Sequence, residues 1–119
     1  MATGRGGWMG DVPMTPAVLE WIADRFKILG DPTRLRLLQV LRDGEATVTE
    51  LVEATGLGQA NVSKHLQMLH SHGYVSRRKE GLYSWYRLAD QGVFKLCDLM
   101  CGRLERDLAA KNKLLGDAR

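Results

Sequence analysis

The spacing of apolar residues changes period abruptly at Gly73, from 3.6 to 2, so the chain passes there from helix to strand. Ahead of it, Val62, Leu66 and Leu69 recur at helical spacing, which predicts a helix over 59–72. Beyond it, segments 74–79 and 82–88 are rich in β-branched and aromatic residues around Glu80-Gly81. That alternation predicts a β-hairpin with Glu80-Gly81 at its turn. Gly73 supplies the left-handed stop that separates the two patterns.

Upstream lie three further helical segments. Pro16, in a favoured first-turn position after Thr15, opens a helix with Leu19, Ile22, Phe26 and Leu29 on one stripe, and Gly30 closes it. Asp31-Pro32 starts the next, whose inner face is expected at Leu35, Leu38 and Leu41, widened by Leu37 and Val40. Thr47 and Glu50 form a capping-box pair that starts a short third helix with Leu51, Val52 and Ala54 as core candidates. After the hairpin, residues 91–115 carry Val93, Leu96, Cys97, Met100, Leu104 and Leu108 along a nearly heptad stripe. The fold class is therefore mainly α with a small β-hairpin, in the order α-α-α-α-β-β-α. At 119 residues the chain suits one domain over 15–115, with a flexible glycine-rich arm at 1–14 and a tail at 116–119.

A short capped helix, the tight turn Ala54-Thr55-Gly56-Leu57-Gly58 and a second helix make a helix-turn-helix. With the hairpin directly behind it, the arrangement is a winged helix-turn-helix. In such a motif the second helix enters the major groove of double-stranded DNA and its early residues meet base edges. The expected outward face holds Gln59, Ala60, Asn61, Ser63, Lys64, His65 and Gln67, with no acidic residue. Gln59 and Asn61 can pair bidentately with adenine, Ser63 is an adaptable donor and acceptor, and Lys64 reaches guanine or a phosphate. His65 is placed on the same DNA-facing side. Arg77, Arg78 and Lys79 sit beside the hairpin turn, where long cations can meet the backbone or the minor groove.

Charge distribution agrees with this placement. The net charge is only +3, but residues 59–87 alone carry +4, against −2 for 1–58 and +1 for 88–119. A local basic patch of this kind matches a phosphate backbone. The competing readings are a solvated basic face and a winged-helix module that binds protein instead of DNA. No nucleophile–base motif, phosphate loop or HExxH sequence points to an enzyme. No apolar run reaches the roughly 18 residues of a membrane span, and the first residues lack a secretory apolar core, so a cytoplasmic protein is expected.

The ordered set LGDPTRLRLL, VSKHL and RRKEGLYSWYRL, between Leu29 and Leu88, resembles the ArsR/SmtB family of winged-helix repressors. With its flanking helices the resemblance covers about residues 15–110, most of the chain. It implies a homodimer formed through the first and last helices, bound to an operator with inverted-repeat symmetry and released by an inducer. In one version of the family a cysteine cluster follows the DPTR helix; residues 45–50 hold none here. Another places histidines along the last helix; Asp90 is present, but no histidine lies beyond His72. What remains is Cys97 and Cys101, four residues apart on one helix face, with Cβ atoms about 5–6 Å from each other. An intrahelical disulfide wants about 4 Å, so a bridging ion fits that gap better than a direct bond. No cofactor is certain. The pair is either a thiol site for a thiophilic metal, metalloid or sulfur species, or two packed apolar side chains in a protein that senses another ligand or none.

Overall fold

The computed structural model describes residues 12–117. Most of the expected arm (1–11) and the end of the expected tail (118–119) lie outside the described residues. The elements are α1 (Pro16–Leu29), α2 (Pro32–Leu41), β1 (Ala46–Thr47), α3 (Val48–Thr55), α4 (Gln59–Ser71), β2 (Val75–Glu80), β3 (Tyr83–Leu88) and α5 (Gly92–Asp117). Two compact units divide at Leu88, the first holding α1 to β3 and the second α5.

The helix starts follow from local chemistry. Thr15 Oγ1 accepts from the Val18 N–H at 3.2 Å, and Asp31 Oδ1 accepts from the Arg34 N–H at 3.1 Å, each with proline at the start of the helix. Thr47 and Glu50 close their capping box in both directions, at 3.2 and 2.9 Å. Each such cap satisfies backbone donors that the first helical turn leaves open, and a side-chain cap contributes about 1 kcal/mol. The turn from α3 to α4 needs Gly56 at φ 73°, a left-handed conformation that a side chain would strain.

In the first unit, α2, α3 and α4 pack together beneath the strands. Leu37, Leu38, Leu51, Val62, Leu66, Leu69 and Val75 are fully buried, with Leu41 and Tyr86 beside them. Full burial of such a side chain contributes about 1.5–3 kcal/mol. The inner face of α2 differs from expectation. It consists of Arg34, Leu37, Leu38 and Leu41, while Leu35 is 39% exposed. Leu35 lies roughly a third of a turn from the centre of that face, a consequence of the 3.6-residue period. Ala54, also expected inside, is exposed.

The hairpin gains a third strand that the residue pattern does not announce. β1 pairs antiparallel with β3, Ala46 opposite Tyr86 and Thr47 opposite Trp85, giving the order β1-β3-β2. In the β2–β3 pair Glu80 stands opposite Tyr83, so the two-residue loop is Gly81-Leu82, one position later than expected. Gly81 adopts φ 62°, which explains why the glycine heads the loop.

Two apolar surfaces stay open. On α1 only Ile28 is buried, and Leu19, Trp21 and Phe26 are 44%, 70% and 57% exposed. On α5, Leu96, Leu99, Met100, Leu104 and Leu108 are all exposed. Contiguous apolar surface of this kind marks an association face. No helix among the described residues is long and apolar enough to cross a membrane.

Candidate nucleic-acid interface

Helix α4 presents a polar face built by its position in the core. Val62, Leu66 and Leu69 point inward, which turns Gln59, Ala60, Asn61, Ser63, Lys64 and Gln67 to solvent. None of these is acidic, and the first turn carries no acidic residue. Gly58 at the N-cap has no side chain to cap the first N–H groups, so they remain available at the positive end of the helix dipole. Amides and hydroxyls that match base edges therefore stand beside donors that match phosphate.

His65 corrects the expected face. It is 8% exposed and points inward, because it stands three residues after Val62 and four before Leu69, on the same helical side. Its Nδ1 accepts from Arg34 Nη1 at 3.0 Å. Arg34 is itself buried; its Nε donates to the Ile28 carbonyl at 2.6 Å and Nη1 also meets Met68 Sδ at 3.3 Å. A base or phosphate contact from His65 is incompatible with that position. The cap on α2 joins this cluster: the Arg34 backbone N–H holds the Asp31 carboxyl below the usual carboxylate range, aided by the guanidinium charge.

The wing cations divide between two faces of the hairpin. Arg77 stands opposite Tyr86 and Lys79 opposite Ser84, on the face that Val75 shares, whereas Arg78 stands opposite Trp85 on the other. Arg78 donates to Glu45 at 2.6 and 3.2 Å and to Glu80, and its guanidinium lies 5.5 Å from the Trp85 ring centre. Those bonds raise the Arg78 pKa further and hold the Glu45 carboxyl below its usual range. Arg87 donates to Ser76 Oγ at 3.1 Å. Arg77 and Lys79 are exposed, and neither is engaged by a carboxylate among the described residues. Of the three expected wing contacts, these two keep their charge free.

Residues 31–77, from the cap of α2 into β2, match the model of the bacterial regulatory protein family named arsR. A probable mercury resistance operon repressor from Streptomyces lividans is 46% identical over 87 residues, 73% of this chain and 66% of its own length. The family match spans the helix-turn-helix of α3 and α4. The chain belongs to the ArsR family of bacterial regulatory proteins. An arsenic resistance transcriptional regulator from Pseudomonas putida is 38% identical over 84 residues, 70% of this chain and 60% of its own length. Among solved structures, a homodimeric winged helix-turn-helix DNA-binding domain from Mycobacterium bovis, titled a possible ArsR-family transcriptional regulator, superposes with TM-score 0.66. It is 35% identical and the match covers 77% of this chain and 85% of that one. This ArsR-family chain thus spans about two thirds or less of the length of the two resistance regulators. The relatives in these matches are named as transcriptional regulators or repressors.

The family's metal and metalloid regulators direct attention to the thiols. Both are free; Cys97 is half-buried and Cys101 exposed on α5. No group of three or more His, Cys, Asp or Glu side chains that could hold a metal occurs among the described residues. Two thiolates match a soft ion in kind, but in number they fall short of the four ligands of a tetrahedral zinc shell.

Proposed function

We propose that this chain is a transcriptional repressor that binds operator DNA as a homodimer and leaves it when an inducer binds. The observation that carries the reading is the solvent face of α4, free of acid and lined by Gln59, Asn61, Ser63 and Lys64, with Arg77 and Lys79 exposed on the wing of the same unit. Base contacts are assigned to the α4 residues and backbone contacts to the wing. Arg78 supports the wing rather than the contact, and His65 supports the helix.

The open apolar faces of α1 and α5 suit a second copy, as does the homodimeric relative. A two-fold dimer presents two recognition helices to an inverted repeat about one DNA turn apart. A single fold over 15–115 and a cytoplasmic location, where operator DNA is found, go with this reading. For the inducer we infer a thiophilic metal or metalloid ion, or a sulfur oxidant, acting at Cys97 and Cys101. The exposure of Cys101 and the mercury and arsenic resistance relatives support that choice.

A gel-shift on DNA flanking the protein's own coding region tests the core of the proposal. Sequence-specific retention at moderate salt is expected. Retention equal to that of unrelated DNA, with capture of a protein partner instead, overturns it.

A further inference from the structure

Arg34 presents an unusual problem for a core. It is 9% exposed, yet among the described residues no carboxylate is in ion-pair contact with its guanidinium. Asp31 accepts from the Arg34 backbone, not from the side chain. A buried cation is tolerated only where its donors are met. Here the Nε and Nη1 donors are met by neutral groups: the Ile28 carbonyl in the last turn of α1, and His65 Nδ1 and Met68 Sδ on α4.

Guanidinium donates and never accepts, so His65 Nδ1 is the acceptor and the ring proton of this contact sits on Nε2. The contact therefore requires neutral imidazole. Protonation turns Nδ1 into a donor and sets two cations face to face in a buried site. Helices α2 and α3 and strand β2 pack against α4. Of their charged groups, α2 supplies Arg34 in contact with His65 and Asp31 within electrostatic reach. From α3 and β2 no ionisable side chain bonds to the ring among the described residues. Lys64, its neighbour on α4, points to solvent.

Location gives the contact its consequence. One guanidinium ties the end of α1 to the middle of α4, one residue from Lys64 and within two turns of Gln59. We propose that Arg34 and His65 form a proton-sensitive joint that sets the pose of α4 on DNA, closed with neutral His65 and open with imidazolium. The idea rests on the operator-binding reading above. Its sign is diagnostic, because added positive charge by itself strengthens binding to a polyanion, whereas an opened joint weakens it.

The test measures fluorescence anisotropy at constant ionic strength, with a duplex that the protein has selected from a randomised pool. Between about pH 8 and about pH 5.5 the wild type should lose affinity roughly tenfold, as expected when a charged hydrogen bond that poses the helix is lost. His65→Asn keeps an acceptor near the Nδ1 position without a titrating ring. It should match the wild type at the upper pH and not weaken on acidification, while His72→Asn should keep the wild-type slope. A His65→Asn profile that falls in parallel with the wild type, or a wild type that tightens in acid, overturns the joint. Ring ¹⁵N signals of the free wild-type protein test it without DNA. Bare Nδ1 with protonated Nε2 at the upper pH supports it, and protonated Nδ1 overturns it. If no duplex is enriched at any pH, it is the operator-binding reading that fails, and the ring signals still decide the joint.

Discussion

Arg78 donates through Nη2 to Oε1 of Glu45 at 2.6 Å, fastening the second strand from the N-terminus to the segment just ahead of the first. The wing cation in the middle of the basic run is thus ion-paired within the fold. Arg78→Ala should speed amide exchange across Arg77–Lys79 while changing the salt dependence of DNA affinity little. Arg77→Ala should do the reverse, lowering the slope of log affinity against log salt by about one. Equal slopes for the two variants, measured by salt titration, would show that both or neither touch phosphate.

The same pair gives the wing a pH limit. Because Arg78 holds the Glu45 carboxyl below its usual range, the folded pKa is the depressed one. The pair's contribution is therefore full above the ordinary carboxylate range and is lost as pH falls through the lowered folded value. Acid titration followed by Trp85 fluorescence should show the wing loosening at low pH. Glu45→Gln should remove that step, and its persistence in the variant would assign the step elsewhere.

Residue pattern alone conveyed the order of helices, both prolines at helix starts, the Thr47–Glu50 box and the acid-free part of α4. Each of these rests on interactions between residues at most four apart, which spacing displays. It missed Arg34 and His65, because an ionisable side chain on an apolar stripe is conventionally turned outward. The signal was nevertheless there: Arg34 precedes Leu37, Leu38 and Leu41 at inner-face spacing, and His65 falls between Val62 and Leu69. Strand β1 was hidden for a different reason. Two residues show no period, and Thr47 reads from the sequence as a helix cap. The engagement of Arg78 was also beyond reach, since Glu45 lies 33 residues away in sequence.

For α4, Gln59→Ala and Lys64→Ala should each weaken binding to the selected operator by about 1–3 kcal/mol, if they read bases, and relax preference at one position of the site. Binding to unrelated DNA should change less for Gln59→Ala, which removes no charge. An operator affinity unaltered in both variants would remove them from the interface.

The pose of α4 depends on its buried stripe. Leu66 is 0% exposed, so Leu66→Ala should cost about 2–5 kcal/mol of stability through lost burial and the cavity left behind. Urea unfolding should show a lower midpoint with little change in slope. A cost under about 1 kcal/mol would mean that the α2–α3–α4 core rearranges to fill the space.

The thiols can be separated from DNA recognition. Cys97 and Cys101 lie on α5, outside the unit that holds the helix-turn-helix and wing. Cys97→Ser and Cys101→Ser should therefore leave operator affinity in reducing buffer unchanged. Release by arsenite, mercuric ion or a persulfide donor should be lost in both, because a soft ion or a sulfur bridge needs two sulfurs for a stable link. Anisotropy titration of the bound complex with each reagent reads this directly. If both variants release like the wild type, the cysteines only pack and the inducer binds elsewhere. If one variant alone is insensitive, its sulfur reacts singly and the pair is not the unit of sensing.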